Sequence, residues 1–231
     1  GTNPFQDMCT ITALLKLFRD VRPAIVHNLT IKPIIYGGIL ARLLRTPGIV
    51  NAVTGLGHLF SSSDMRSRVL RWIVIQLYRF SLGHSACQVI VQNPDDGEKL
   101  TSAAAVSPER ITLIPGSGVD MKEFPVEPEM DEIPIVVLPA RLIWLKGVRE
   151  FVEAARALHT KGIRARFVLV GDTKTGYPGA VPEQQLKAWV DEGAVEWWGR
   201  RDDMPTVFQK SHVICLPTTY GEGIPRVLIE A

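Results

Sequence analysis

The sequence lacks the features that mark several classes of protein. Its 231 residues include only three cysteines, Cys9, Cys87 and Cys215. An odd number at wide spacing is typical of free thiols in a reducing cytosol, not of disulfides or a zinc motif. The most apolar stretch, residues 69–83, is interrupted by Arg71 and Arg79, whereas a membrane span needs about 20 mostly apolar residues. The first ten residues do not resemble a signal peptide either. The sequence thus predicts neither a disulfide-stabilised secreted domain nor a membrane-spanning one.

Motifs of several enzyme classes are also missing. There is no P-loop, H-E-x-x-H, G-x-S-x-G or EF-hand pattern, and the basic and aromatic residues form no nucleic-acid module. Asp202 and Asp203 are interpreted as a helix N-cap and its neighbour. We therefore expect no bound metal and no nucleic-acid partner.

The charge is small but unevenly spread. Residues 1–92 hold 10 Lys and Arg against 3 Asp and Glu, a net charge of +7, and residues 93–231 carry −5. A basic first part is typical of proteins that meet phosphates or an anionic membrane, and equally of an ordinary solvated face.

Short β-branched runs alternate with amphipathic stretches along the whole chain. The β-branched runs are continuously apolar and do not alternate with polar residues, which is typical of parallel strands buried on both faces. Alternation of this kind predicts an α/β fold built from βαβ units. The predicted strands are 24–28, 48–54, 88–93, 111–115, 134–140, 166–171, 194–199 and 212–217, and helix patterns cover 10–23, 32–46, 64–80, 146–162 and 181–193.

A segment rich in proline and acidic residues separates the two sets of strands. We interpret 121–133 as a linker between two Rossmann-like, doubly wound domains at 1–120 and 134–231. Ligands of such sheets bind beyond the carboxyl ends of the strands, so functional residues are expected just after strands.

Two cations follow the strand at 134–139. Arg141 and Lys146 lie in "PARLIWLKG", in a loop and at the start of the next helix. A helix N-terminus, a guanidinium and an ammonium together suit a diphosphate. The alternative is that both are ordinary surface cations.

Two glutamates follow the last predicted strand. Glu222 lies in a glycine-rich loop, and Glu230 lies inside the helix that is expected to begin near Pro225. A rise of about 1.5 Å per residue places the carboxylates roughly 10 Å apart, which suits the two ends of a nucleotide sugar. The alternative is a capping glutamate and a helix-surface glutamate.

Two further segments are candidates. In "TGLGHLF", Gly55 and Gly57 form a tight turn and His58 could reach a ligand, although a buried structural histidine is equally compatible. The stretch 64–80 is basic, aromatic and amphipathic, which is typical of a helix on an anionic bilayer or of a helix that covers a sheet.

Taken in order, these motifs resemble a known family. The Arg–Lys pair, the strand ending in "LVG" and the E-x7-E of "EGIPRVLIEA" are similar to those of the family 4 retaining glycosyltransferases of GT-B fold. "HNLTIKPIIYGG", "VNAVTGLGHLF", "VQNPDD", "PGSGVD" and "EWWG" resemble a bacterial subgroup that builds surface polysaccharides on polyprenyl-diphosphate-linked or glycan acceptors. Family members begin earlier and continue past the second glutamate, so the resemblance implies a chain truncated at both ends.

The resemblance implies transfer of a hexosyl or N-acetylhexosaminyl group from a nucleotide-diphosphate sugar, expected to be a UDP-sugar, without a metal. The enzyme would be cytoplasmic, with 64–80 as a candidate for peripheral contact with the inner face of the membrane. Arg141 and Lys146 would neutralise the donor diphosphate. Glu230 would hold the ribose. Glu222 would contact the donor sugar.

The remaining implied site residues surround the donor. The backbone of Gly223, Ile224 and Pro225 would assist at the sugar, His58 would lie near the transferred sugar, and Gly55 and Gly57 would shape the turn by the diphosphate. The catalytic set is then Glu222, His58, Arg141 and Lys146.

Other activities remain as alternatives. A sugar-nucleotide 2-epimerase shares the architecture and would need no acceptor. A non-catalytic nucleotide-sugar-binding subunit would bind UDP and transfer nothing. A dehydrogenase is disfavoured, because the third glycine of the dinucleotide fingerprint is replaced by Phe60.

Overall fold

The structure is a computed structural model of the 231-residue chain. It describes residues 4–55, 65–104, 106–116, 118–126, 128, 133–173, 179–219 and 223–231, and gives the backbone alone at 4, 65–68, 70, 71 and 104. Two compact units are present, Gly1–Ser117 with Gly221–Ile224, and Gly118–Tyr220 with Pro225–Ala231. The predicted linker, 121–133, is thus grouped with the second unit, and its role as a linker stays a prediction.

The first unit contains a four-stranded parallel sheet whose strands lie in chain order, β1-β2-β3-β4. Its strands are β1 (Ile25–Leu29), β2 (Gly48–Val53), β3 (Cys87–Val91) and β4 (Ile111–Leu113). Its helices are α1 (Pro4–Val21), α2 (Ile31–Leu43), α3 (Met65–Leu82) and α4 (Pro94–Ala104).

A buried polar chain crosses the first sheet. The amide of Asn28 on β1 donates to Oδ1 of Asn51 on β2 at 2.8 Å, and Nδ2 of Asn51 donates to Sγ of Cys87 on β3 at 3.2 Å. Burial raises the pKa of the Cys87 thiol. Because buried polar groups are costly unless they are paired, these bonds allow three polar side chains to lie within the core.

The second unit contains a parallel sheet with the order β7-β6-β5-β8. Its strands are β5 (Ile135–Pro139), β6 (Arg166–Val170), β7 (Glu196–Trp197) and β8 (Val213–Ile214). The helices are α5 (Val148–Thr160), α6 (Glu183–Asp191), α7 (Met204–Gln209) and α8 (Arg226–Glu230). The order reverses between β5 and β8, as in a doubly wound sheet.

Both faces of the second sheet are covered. Leu138 and Leu169 pack with residues of α5 and α6, including Phe151 and Leu186. Val137 and Val168, whose side chains point to the opposite face, pack with Val207 of α7. This alternation within β5 and β6 explains why the two strands read as continuous apolar runs.

The eight strands overlap the eight predicted segments and pair in parallel, which confirms the α/β prediction. Several bounds were wrong. The helix predicted at 10–23 begins at Pro4, because proline suits the first helical turn. β7 is shorter than 194–199, because Ala194 donates back to Trp189 O at the end of α6, and Gly199 takes a φ of 68°.

Candidate functional site

Arg141 and Lys146 follow β5, at the reversal of strand order in the second sheet. β5 pairs with β8 on one side, with Val137 opposite Ile214, and with β6 on the other. Chains that leave adjacent parallel strands at a reversal diverge to opposite faces, which opens a crevice at their carboxyl ends. The structure therefore brings two segments to the carboxyl edge of the second sheet. One is 140–147, which contains Arg141 and Lys146 and is called the cation segment; the other is 215–219, which leads to Glu222.

The cation segment is anchored on both sides of Arg141. The N–H of Ala140 donates to Val170 O at 3.0 Å, and the N–H of Leu142, which is fully buried, donates to Asp172 O at 3.1 Å. Arg141 itself is exposed. Its guanidinium thus extends from a fixed backbone.

Lys146 ends a short 3₁₀ turn, Trp144–Lys146, and is half-buried. Gly147 follows with a φ of 77° and is the N-cap of α5. The amino end of α5 carries a positive partial charge and free N–H groups. The Lys146 ammonium and the amino end of α5 therefore lie next to each other along the chain, and both attract an anion.

The segment after β8 is bonded to the cation segment. The N–H of Thr219 and Oγ1 of Thr218 both donate to the carbonyl oxygen of Leu145, at 3.1 and 3.2 Å. Sequence reasoning missed these threonines, because their partner Leu145 lies 73 positions before Thr218. Nothing in "PTTYGEG" beyond its polar character indicates such contacts.

Glu230 lies at the end of α8, as predicted, and Pro225 is the N-cap of that helix. The side chain of Glu230 is 13% exposed, and its carboxylate pairs with Nε of Arg226 at 2.6 Å, one helical turn earlier. Arg226 therefore orients the carboxylate. Glu222 lies outside the described residues, so the separation of the two glutamates stays a prediction.

Gly223 and Ile224 belong to the first unit. The N–H of Ile224 donates to Pro115 O at 3.0 Å, and a Cβ at Gly223 would lie 2.6 Å from the same oxygen. A side chain there would force the neighbouring backbone to shift. The proposed role of this backbone beside the donor sugar stays a prediction.

Gly55 follows β2 with a φ of 138°, a conformation that favours glycine. The tight turn predicted after β2 also involves Gly57 and stays a prediction. Gly57 and His58 lie outside the described residues, so their placement stays a prediction.

Two exposed ion pairs occupy the loop after β7. Arg200 pairs with Asp202 at 3.0 Å, and Arg201 makes two bonds to Asp203. The pairing with Arg201 lowers the pKa of Asp203 to about 2. Asp203 is the N-cap of α7 as expected, but it makes no side-chain cap bond.

The outer face of α3 carries exposed apolar side chains. Val69, Trp72, Ile73 and Phe80 are 55%, 64%, 42% and 42% exposed, and their spacing places them on one side of the helix. The guanidinium of Arg42 lies 4.3 Å from the centre of the Phe80 ring. We call these four residues the α3 stripe.

Two properties concern only the part of the chain that the structure describes. There, no three His, Cys, Asp or Glu side chains are grouped as metal ligands would be. None of the helices there combines the length and apolar character that crossing a bilayer requires.

Two family models match this chain. The model of the glycosyl transferases group 1 matches residues 133–231, and the glycosyl transferase 4-like model matches residues 2–93. Together these ranges take in most of both units.

A curated relative matches along the whole chain. The N,N'-diacetylbacillosaminyl-diphospho-undecaprenol alpha-1,3-N-acetylgalactosaminyltransferase of Campylobacter jejuni is 28% identical, over 99% of this chain and 61% of its own length. The chain thus spans about three-fifths of the length of this relative.

Solved structures share the fold at low identity. HepE of Anabaena in complex with UDP superposes with a TM-score of 0.74 at 19% identity, over 96% of this chain and 60% of its own. The sucrose-phosphate synthase of Thermosynechococcus elongatus superposes with a TM-score of 0.70 at 20% identity, over 96% of this chain and 56% of its own. Because both parts of the chain match glycosyltransferase models and the fold is shared, the chain belongs to the family 4 glycosyltransferases of GT-B fold.

Proposed function

We propose that the protein transfers a sugar, with retention of anomeric configuration, from a UDP-sugar to a polyprenyl-diphosphate-linked or glycan acceptor. The observation that carries this is the position of Arg141 and Lys146 after β5, beside β8 at the reversal of strand order. The name of the Campylobacter relative, which specifies an N-acetylgalactosaminyl group and a diphospho-undecaprenol acceptor, supports these substrate classes. The UDP held by HepE supports the donor nucleotide.

The proposed reaction breaks the bond between the anomeric carbon and the donor diphosphate. A hydroxyl oxygen of the acceptor bonds to that carbon on the same face, and its proton passes to the departing diphosphate. Arg141 and Lys146 stabilise the charge that develops on the leaving group, as cations aimed at a transition-state charge do. In this proposal these cations and the amino end of α5 take the place of a metal.

The other site residues grip the rest of the donor. Glu222 contacts hydroxyls of the transferred sugar, with help from the backbone of 223–225. Glu230 accepts hydrogen bonds from the ribose, with its carboxylate oriented by Arg226. We assign His58 to the transferred sugar from the resemblance alone.

The test is a transfer assay with the purified full-length protein. A panel of UDP-hexoses and UDP-N-acetylhexosamines is offered with a polyprenyl-diphosphate-linked acceptor, and NMR assigns the anomeric configuration of the product. We expect transfer with retention that persists in EDTA. An inverted product would refute the retaining mechanism, and loss of activity in EDTA would refute metal independence.

Variants test the cation roles. Arg141→Ala and Lys146→Ala each remove a charge-assisted contact worth about 1.5–3 kcal/mol, so kcat/KM should fall about 10- to 150-fold. Lys161→Ala is the matched control, because Lys161 is an exposed cation at the other end of α5. Equal kcat/KM in all three variants would refute the proposal that Arg141 and Lys146 bind the donor diphosphate.

The alternatives predict different products. A 2-epimerase would isomerise the UDP-sugar without an acceptor, and a binding subunit would bind UDP with no turnover. Incubation of the donor alone, followed by analysis of the sugar nucleotide, identifies an epimerase, and the transfer assay with acceptor distinguishes a transferase from a binding subunit.

We also propose peripheral contact with the cytoplasmic face of the membrane through 64–80. Within this segment the α3 stripe supplies exposed apolar area with a tryptophan, and residues 1–92 carry a net charge of +7. A helix of this kind binds anionic bilayers by combining apolar burial with charge attraction. A lipid-linked acceptor would be presented at such a surface.

Vesicle flotation tests the membrane proposal. We expect the protein to float with phosphatidylglycerol vesicles and less with phosphatidylcholine vesicles, and expect Trp72→Ser with Ile73→Ser to abolish flotation. Met121→Ser is the control, because Met121 is 71% exposed but lies outside α3. Equal flotation of the double variant and the control would refute a role for the α3 stripe.

A further inference from the structure

The carbonyl oxygen of Leu145 is the point at which two segments of the second unit are joined. It accepts the N–H of Thr219 at 3.1 Å and Oγ1 of Thr218 at 3.2 Å. Leu145 immediately precedes Lys146, and the threonines lie just before the loop that contains Glu222. Two hydrogen bonds to one carbonyl oxygen thus connect the cation segment to the segment after β8.

Gly147 packs closely against Pro217, in the same segment after β8. A Cβ on this buried residue would lie 2.1 Å from Pro217 O and 2.6 Å from both its carbonyl carbon and its Cγ. Side chains do not approach backbone atoms so closely, so either Pro217 or the start of α5 would have to move. The φ of 77° is a second, independent reason for glycine at this position.

Lys146 lies between these two contacts. Its neighbour on one side is bonded to Thr218 and Thr219, and its neighbour on the other side packs against Pro217. The backbone that carries the ammonium therefore cannot shift without moving the segment after β8.

From this we infer that Leu145, Gly147 and residues 217–219 form a clasp that sets the Lys146 ammonium and the amino end of α5 in position for the donor diphosphate. Gly147 and Thr218 are positioning residues in this assignment, which rests on the proposed donor site. The chemistry that they support is recognition of a nucleoside diphosphate, and their loss should weaken its binding more than it lowers kcat.

The chain contains a matched control for Gly147. Gly162 follows the carboxyl end of the same helix with a φ of 75°, and a Cβ there would meet nothing within 4 Å. Alanine at either position suffers the same left-handed strain, but only Gly147→Ala also collides with Pro217. The difference between the two variants therefore isolates the clasp.

The experiment measures UDP affinity by isothermal titration calorimetry on the full-length protein, together with donor KM and kcat. We expect Gly147→Ala to raise Kd and KM at least 10-fold, and Gly162→Ala to change neither by more than 2-fold. Gly147→Ala that is folded and binds UDP as the wild type does would overturn the inference.

A second pair keeps the inference testable if Gly147→Ala does not fold. Thr218→Val keeps the side-chain shape but removes the hydroxyl, and Thr218→Ser keeps the hydroxyl. The valine variant should bind UDP several-fold more weakly, and the serine variant should restore wild-type affinity; equal affinities would overturn the clasp. Failure of the wild-type protein to bind UDP would instead refute the proposed function.

Discussion

Asn51 provides the sharpest test of the first unit's core. Its side chain is fully buried and joins Asn28 on one strand to Cys87 on another. Asn51→Ala leaves the Asn28 amide buried without this acceptor, and an unsatisfied buried polar group costs about 1–3 kcal/mol. The side-chain atoms removed leave a void that adds to the cost, so the total is about 2–4 kcal/mol.

Cys87 itself can report the effect. Its thiol is fully buried, so alkylation requires the unit to open. A destabilisation of about 2–4 kcal/mol corresponds to labelling that is about 30- to 1,000-fold faster. The exposed Cys9 on α1 serves as the internal control for reagent activity.

The measurement is mass spectrometry of the two cysteine peptides during iodoacetamide labelling in native buffer. Labelling of Cys87 at the wild-type rate in Asn51→Ala would refute the reasoning that the polar chain stabilises the sheet. The double variant with Asn28→Ala should cost less than the sum of the single variants, because no buried partner is then left unpaired.

Two other predictions concern the second unit. Leu169→Ala should lower its free energy of unfolding by about 2–5 kcal/mol, because Leu169 is fully buried on the central strand β6; urea unfolding followed by tryptophan fluorescence checks this, and a loss below 1 kcal/mol would contradict the packing described. The Asp203 carboxyl should titrate with a pKa of about 2, and Arg201→Gln should return that pKa toward 3.8. Because the folded-state pKa is lowered, the pairing stabilises the fold above pH 3.8 and is lost as the pH falls through about 2. NMR titration of the carboxyl carbon measures both values, and an unchanged pKa in Arg201→Gln would rule out Arg201 as the cause.

Local patterns predicted the elements well, whereas the strand order came only from the structure. Apolar runs indicated the positions of the strands. Burial on both faces, as expected from continuous runs, holds for β5 and β6, but it is wrong for β1, whose alternate residues Ile25 and Leu29 are exposed. The element ends were harder, because they depend on contacts such as the bond from Ala194 to Trp189 O that closes α6. A short strand such as β7 ends where the backbone turns, not where hydrophobicity ends.

The position of Arg141 and Lys146 after β5 was predictable, because the apolar run that marks this strand ends just before Arg141. Their role in binding stays a prediction, based on the rule that ligand sites of parallel sheets follow strand ends. The clasp could not, because Leu145 and Thr218 come together only after β5 and β8 pair. The ion pair of Glu230 with Arg226 is compatible with their spacing of four residues on a helix. The resemblance, in contrast, implies only that this carboxylate binds the ribose and does not indicate the ion pair.

The central claim is that the carboxyl edge of the second sheet binds the donor diphosphate. Hydrogen–deuterium exchange of the full-length protein with and without saturating UDP tests it most directly. The account predicts slower exchange in peptides that cover 140–149 and 215–231, and no such protection in the Arg141→Ala, Lys146→Ala double variant. UDP-dependent protection that is confined to other peptides, or that persists unchanged in the double variant, would contradict it.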